Sequence, residues 1–335
     1  MNETLNEPTA AFEDDEQKPV GKIILGVIAF IVVVQIGLVF YWSMQPPQFD
    51  VEARARERTG IEEGPLPKGA VTISTVIGIA ETLLGKPGGY LNNDVTPPSI
   101  FMDNMPNWET GALTELRDSA RSLRNDFSRS QSQSIENPLL YRADSQFSFN
   151  SRSWILPSTE GEYRRGIAAL EEFLGALVGG EDQTARFFAR ADNLRYYLQV
   201  VEKRLGSYAQ LLSASVADEG LIEMINSNEA QNLERTPWNE IDDRFFQARG
   251  YMWALLHMME ALAIDFADVI ETKNATVSMQ QIIRDLRGAS AFKRSPVVLN
   301  GHGFGLLANH SLVLASFISR ANAAVIDLRV VLERG

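Results

Sequence analysis

Residues 237–269 read PWNEIDDRFFQARGYMWALLHMMEALAIDFADV, and this stretch decides the fold. Its apolar residues are separated alternately by four and three positions: Ile241, Phe245, Ala248, Met252, Leu255, Met259, Leu262, Phe266 and Val269. An average spacing of 3.5 residues keeps one apolar stripe of an α-helix facing a neighbouring helix. The stretch therefore predicts a long helix that packs against other helices.

The same spacing recurs in residues 113–127, 163–177, 184–212 and 307–332. Positions beside the stripes are often apolar too, for example Phe188, Phe246 and Phe317, so the apolar faces are wide. Wide faces suit a globular bundle better than a two-stranded coiled coil. The sequence predicts an all-α fold, an antiparallel helical bundle over residues 70–335 with long ordered loops.

A second decisive feature is the apolar run at residues 23–44, IILGVIAFIVVVQIGLVFYWSM. A helix of this length covers the roughly 30 Å of a bilayer's hydrocarbon core. A cleaved signal peptide fits poorly, because its apolar region is usually about 7–15 residues long and ends at a small-residue cleavage site. We expect a single transmembrane anchor.

The segments beside the anchor have different compositions. Residues 1–22 are predicted to be an acidic disordered tail, and residues 45–69 a linker bracketed by four prolines, with a short helix at 51–59. Lys22 adjoins the span on its amino side, which favours a cytoplasmic N-terminus and a periplasmic C-terminal domain. We therefore expect an inner-membrane protein attached to the membrane through residues 23–44.

Charge and cysteine content exclude several classes of function. The formal net charge is −12 and the pI is about 4.9, which argues against a nucleic-acid-binding surface and against a domain lying on anionic lipid. The chain has no cysteine, which excludes disulfides, thiol catalysis and thiolate metal sites.

Three segments depart from the helical spacing and are the expected working surface: residues 85–108, 137–157 and 296–305. Each combines glycine, proline and asparagine with aromatic residues, a mixture typical of ordered turns that pack on a core. Alternation around Phe147 and Phe149 suggests a short strand. The candidate binding-surface residues are Tyr90, Asn93, Asp94, Trp108, Trp154 and His302.

The first of these segments carries GGYLNND at residues 88–94, Pro97-Pro98, and DNMPNW at residues 103–108. This block resembles the signature of an uncharacterised bacterial family, domain of unknown function 2333. The resemblance implies a single-span inner-membrane protein of Gram-negative bacteria with an anchor, a linker and a helical domain. It implies no activity and no catalytic residues.

Paired carboxylates are the main enzymatic possibility. Asp94, Asp103 and Glu109 lie in or beside the first irregular segment, and two carboxylates facing each other across an aromatic cleft cleave glycans in many enzymes. The alternative interpretation is structural, with Asp94 and Asp103 capping turns and the neighbouring aromatic residues belonging to the core.

Histidine could supply a metal site. His302 and His310, with Asp94 or Asp103, would make a two-histidine, one-carboxylate set, but their spacing matches no metal motif. His257 falls opposite the stripe of its helix, and we expect it to face solvent. No Walker loop and no G-x-S-x-G motif is present, so no metal and no cofactor is predicted.

These observations predict a membrane-anchored envelope protein that acts as a binding or assembly module for other envelope proteins or for itself. The alternative is a cell-wall glycan-cleaving enzyme that uses the loop carboxylates. A ligand sensor ranks below both, because the short amino-terminal tail offers little output.

Overall fold

The computed structural model of this chain describes residues 19–129, 136–180, 184–214, 236–291, 293, 297–301 and 307–334. In these residues the fold is all-α, as predicted, and the extended pairing is limited to one bridge between Asn300 and Asn309. The helices are α1 Pro19–Trp42, α2 Val51–Thr59, α3 Ala70–Gly85, α4 Asn104–Ser122, α5 Pro138–Phe147, α6 Thr159–Gly179, α7 Ala191–Ser213, α8 Ile241–Asp265, α9 Ala267–Thr272, α10 Thr276–Ala289 and α11 His310–Glu333.

Helix α8 lies at the centre of the body and is buried on nearly all sides. Its closest neighbour is α4, which it meets at Gly111 and Gly250. A Cβ atom at Gly111 would collide with the carbonyl oxygen of Gln247, and one at Gly250 with that of Trp108. Glycine at both positions lets the two backbones touch, which larger residues would prevent.

The other long helices surround this pair. Helix α7 packs against α4, where Arg204 pairs with Asp118 at 2.7 Å and the hydroxyl of Tyr197 donates a hydrogen bond to Glu115. Helix α11 packs in turn against α7 and α10. The apolar stripe read from residues 237–269 faces these neighbours, and its members from Phe245 to Phe266 are buried.

The outer side of α8 is not open to water. His257 was expected to face solvent, and this prediction is wrong, because its side chain is fully buried. Its ring Nε2 accepts a hydrogen bond from the backbone N–H of Phe49 at 3.0 Å, and the Phe49 ring stacks on it with centroids 4.1 Å apart. The Nδ1 atom lies 2.7 Å from the carbonyl oxygen of Trp253. Burial lowers the pKa of His257 to about 4, so the ring is neutral at pH 7.

The segment that covers α8 follows the first helix directly. Gln45 accepts hydrogen bonds from Arg249, and the carbonyl oxygen of Pro47 accepts one from Trp253 at 3.3 Å. Helix α2, predicted at these residues, buries Val51 and Ala55 against the body. Residues 45–59 therefore lie along the body.

Residues near Phe147 were expected to form a short strand, and this prediction is wrong. They form the end of α5, which starts after Asn137, whose side chain accepts a hydrogen bond from the N–H of Leu139 at 2.9 Å. Pro138 occupies the first turn, where its missing N–H costs nothing. Phe147 is buried, so the alternation of aromatic residues reflects packing at a helix end.

Two helices in the described residues are long and apolar enough to cross a membrane. The first covers residues 21–42, has a mean hydropathy of 3.0 and has no buried residues in its most apolar stretch. It fits a membrane span or a signal sequence. The second is α11, which has a mean hydropathy of 1.4, and 44% of its most apolar stretch is buried in the protein. Because α11 packs against α7 and α10, it serves as a helix of the body.

One end of the body contacts the last residue of the first helix, and we call it the anchor end. Trp42 packs against Gly88, at the turn after α3. The start of α4 lies there too, since Asn107 donates to Asp243 near the start of α8 at 2.6 Å. The ring of His310, at the start of α11, lies 6.2 Å from the ring of Phe245. Loops from distant parts of the sequence thus meet at the anchor end.

Candidate functional site

The first irregular segment is built around the carboxylate of Glu109. This side chain is fully buried, and its oxygens accept hydrogen bonds from the backbone N–H groups of Leu91 and Asn92 at 2.8–3.1 Å. The ammonium of Lys86 lies 2.5 Å away and also donates to the carbonyl oxygen of Gly89. Burial raises the pKa of Glu109, whereas Lys86 and the N–H donors favour the charged form. Glu109 therefore holds the loop in shape.

Asp94 and Asp103 have other surroundings. Asp94 is half-exposed; its partial burial raises its pKa, and the nearby charge of Glu160 raises it further. Asp103 is exposed and caps α4, accepting a hydrogen bond from the N–H of Asn104 at 2.7 Å. In the described contacts Glu109 pairs with Lys86, Asp103 caps α4 and Asp94 interacts with Ser99, so the three carboxylates considered for glycan cleavage have separate partners.

The first and second irregular segments meet through Asn93. Its buried side-chain amide donates to the carbonyl oxygen of Ser153 at 2.9 Å and to the carboxylate of Glu160 at 3.0 Å. Arg117, on α4, binds the carbonyl oxygens of Phe147 and Phe149 at 2.7 and 2.8 Å. These bonds hold the second segment beside the first.

The aromatic candidates separate into core and surface. Tyr90 is buried edge-to-face against Tyr163, with centroids 5.7 Å apart, and Trp108 is buried against Trp253 at 5.2 Å. Trp154 is exposed at the tip of the second segment. Of the six binding-surface candidates, Asp94 and Trp154 are accessible, Tyr90, Asn93 and Trp108 are buried, and His302 lies outside the described residues.

The anchor end carries a set of exposed large apolar side chains, of which only Trp154 was among the predicted binding-surface residues. The most exposed are Leu156 at 93%, Trp238 at 86% and Phe101 at 79%. The full set in the described residues is Val95, Ile100, Phe101, Trp154, Ile155, Leu156, Trp238, Val297, Leu307 and Val313. Elsewhere beyond the first helix the described chain exposes Met44, which lies two residues after α1, and the scattered residues Tyr141, Tyr196, Ile264, Val277 and Ile326. Several of these apolar residues lie next to prolines in the loops, and this pattern in the sequence could have indicated them.

Acidic residues stand beside this apolar set. The pKa of Asp243 is raised by partial burial and then by the charges of Asp103, Asp242 and Glu240.

No group of three or more metal-ligating side chains occurs among the described residues. The proposed set of His302 and His310 with a carboxylate lies partly outside them.

The fold and the site define a helical protein with a long apolar N-terminal helix and an apolar loop surface at the end that meets it. A family model described as an uncharacterized protein conserved in bacteria (DUF2333) matches residues 16–335, and the chain belongs to this family. The resemblance drawn from residues 88–108 is confirmed. No curated protein and no solved structure matches the chain.

Proposed function

We propose that this protein is anchored in the bacterial inner membrane by residues 23–44, with its N-terminus in the cytoplasm and its helical body in the periplasm. This proposal is supported by the apolar surface of α1, which has no buried residues in its most apolar stretch. Phe40, Tyr41 and Trp42 are aromatic residues of the kind found at the membrane interface, and Lys22 stands at the other end.

The body then acts as a binding and assembly module, and the anchor-end loops are its interaction surface. The observation that carries this proposal is the concentration of exposed apolar side chains on several loops at one end. Soluble surfaces rarely expose many large apolar residues together, and such groups mark contact surfaces. The glycan-cleaving alternative has no such support, because Asp94, Asp103 and Glu109 have separate partners.

The position of the surface indicates the kind of partner. The loops lie beside Trp42, the last residue of α1, so the partner must present an apolar surface near the membrane interface. Asp103 and Asp243 stand at the same end, and their charges oppose contact with anionic lipid alone. Another membrane-anchored envelope protein fits both conditions.

Photo-crosslinking in living cells tests this proposal. A photoreactive residue at Leu156 or Phe101 is expected to give a discrete adduct with an envelope protein. Val277 is the matched control, since it is equally apolar and exposed but lies at the start of α10, away from the anchor end. Adducts with lipid only, or the same adducts from all three positions, would overturn the assembly role.

A further inference from the structure

A pocket of about 390 Å³ opens between α8, α10 and α11 at the anchor end. Its apolar wall includes Phe245, Leu314 and Phe317, and its polar groups are Arg249, Lys293 and His310. Among the described residues, no aspartate or glutamate lines it. Two cationic side chains in one pocket wall are unexpected in a chain whose net charge is −12.

Arg249 is the most informative residue of this pocket. It is only 7% exposed, and its guanidinium donates to the side-chain oxygen of Gln45 at 2.9 Å and to the carbonyl oxygens of Ala289 and Ser290 at 3.2 and 3.5 Å. These acceptors are neutral, and no carboxylate of the described residues pairs with Arg249. Buried charges in proteins are normally paired with an opposite charge.

Lys293 and His310 add to the positive character. The ammonium of Lys293 lies 5.7 Å from the centre of the Phe246 ring, and burial and the charge of Arg249 lower its pKa. His310 Nδ1 accepts a hydrogen bond from the N–H of Leu299 at 2.9 Å, so the neutral ring carries its proton on Nε2. That nitrogen is then a hydrogen-bond donor.

We propose that this pocket binds an anionic amphiphile, a molecule with a phosphate or carboxylate head and an apolar chain. The head would meet Arg249, Lys293 and His310, and the chain would lie against Phe245, Leu314 and Phe317. A guanidinium offers two parallel donors that match the oxygens of phosphate and carboxylate. The volume lies in the lower part of the range of small-molecule sites, which fits one head and part of one chain.

Two sources could supply this chemistry. A membrane lipid could enter from the bilayer, because Gln45, which binds Arg249, follows the first helix closely. A free amphiphile could enter from solution. The pocket shares Val313 with the exposed apolar set, but the residues that would recognise the anionic head are Arg249, Lys293 and His310, so the inference does not depend on the assembly role.

Calorimetry with full-length protein in nanodiscs of zwitterionic phosphatidylcholine tests the proposal, with hexyl phosphate as the probe. Hexanol controls for partition into lipid, and inorganic phosphate for simple anion binding. We expect hexyl phosphate to bind at least about tenfold more tightly than either control, because only it uses both parts of the pocket. Binding equal to either control would overturn the proposal.

Variants locate the site. Arg249→Gln and Lys293→Gln are expected to weaken hexyl phosphate binding by about tenfold each, as expected for loss of a charge-assisted hydrogen bond. Arg287→Gln is the matched control, because Arg287 lies on α10 but pairs with Glu260 at 2.7 Å and does not line the pocket. Lys293 is more exposed than Arg249, so its variant remains informative if Arg249→Gln does not fold. Unchanged binding in Lys293→Gln would contradict the assignment.

A final comparison distinguishes the two sources. Nanodiscs that contain anionic phosphatidylglycerol are expected to weaken hexyl phosphate binding if a membrane lipid occupies the pocket. Unchanged affinity there, with tight binding in zwitterionic nanodiscs, assigns the pocket to a free amphiphile. Both results keep the anionic amphiphile as the ligand, and both are obtained with purified protein, independently of any envelope partner.

Discussion

Glu109, one of the three candidate catalytic carboxylates, lies on α4 and binds Lys86 and two backbone N–H groups of the preceding loop. A carboxylate with all these partners inside the protein has little freedom to act on a substrate. Its role is to shape residues 86–93, which in turn place Asn93 against the second irregular segment. Single residues thus organise the anchor end without taking part in its surface.

The pair of Lys86 and Glu109 gives a stability prediction. Lys86→Met leaves a buried carboxylate without its cation and is expected to lower the free energy of unfolding by about 3 kcal/mol. Urea unfolding of the full-length protein in detergent measures the change. The double variant Lys86→Met/Glu109→Gln removes both charges and is expected to recover most of the loss. Equal losses in the single and double variants would contradict the role of the charge.

The free energy of unfolding is expected to depend on pH through Glu115. It is fully buried, accepts hydrogen bonds from Ser119 and Tyr197, and burial raises its pKa from the ordinary 4.5 to about 7. The unfolded chain releases this proton near pH 4.5, whereas the folded protein keeps it until about pH 7. The contribution to stability is therefore fully present below pH 4.5 and is lost as pH rises to 7, by about 3 kcal/mol.

Glu115→Gln tests this dependence, because glutamine resembles the protonated acid and does not ionise. We expect the variant to match the wild type near pH 4 and to exceed its free energy of unfolding at pH 8 by about 3 kcal/mol or less. Urea unfolding at pH 4, 6 and 8 measures the difference, with Glu172→Gln, an exposed carboxylate, as the control. A difference that does not change with pH would disprove the prediction.

At the scale of elements, the contact between α4 and α8 depends on two glycines. Gly250→Ala would place a methyl group against the carbonyl oxygen of Trp108 and force the helices apart. We expect the free energy of unfolding to fall by about 3 kcal/mol, the upper part of the usual range for overpacking. Thermal or urea unfolding measures the loss.

Gly206→Ala is the matched control for this helix contact. A Cβ atom at Gly206, on α7, would meet only Asn322 at 3.9 Å, which is ordinary contact. Alanine is a better helix former than glycine by about 1 kcal/mol, so this variant should be neutral or stabilising. Similar losses in both variants would show that helix contact is not the cause.

Residues 45–59 form a second element-scale interaction, since they cover α8. Phe49 stacks on His257, and its N–H bonds to the same ring. Phe49→Ala is expected to loosen the segment and to raise the hydrogen-exchange rates of residues 45–59 at least about tenfold, without unfolding the body. Phe101→Ala, an exposed aromatic residue, is the control. Unchanged exchange in Phe49→Ala would mean that other contacts hold the segment.

At the scale of the whole molecule, the two ends of the body differ. The anchor end exposes many large apolar side chains and receives the first helix, whereas the opposite end packs its aromatic residues inward, as Phe127, Phe187 and Phe266 do. An exposed apolar surface beside a long apolar helix suits the contacts proposed above. This asymmetry is the main support for the proposed assembly role.

Orientation is tested on the whole chain. Alkaline phosphatase fused after Gly335 is expected to be active in cells, because the enzyme requires export, and a green fluorescent protein fused at the same place is expected to be dark. The physical reason is the preference of lysine beside a span, here Lys22, for the cytoplasmic side. Inactive phosphatase with bright fluorescence would reverse the orientation.

The local pattern of residues predicted much of the architecture. The spacing of four and three residues located the long helices, although the helix in the stretch 184–212 begins only at Ala191. The unbroken apolar run located the first helix, because both signals depend on neighbours a few residues apart. The block at residues 88–108 also led to the correct family. The carboxylates and aromatic residues of the loops were recognised as a group, but their burial was not.

The sequence by itself determined the helical class, the apolar first helix and the segments that interrupt the helical pattern. Only the tertiary structure decided which side chains are buried. His257 is covered by Phe49, 208 residues earlier in the chain, and Arg249 is enclosed by α10 and Gln45. Periodicity describes which side of one helix is apolar, whereas burial depends on what distant segments place against the other side.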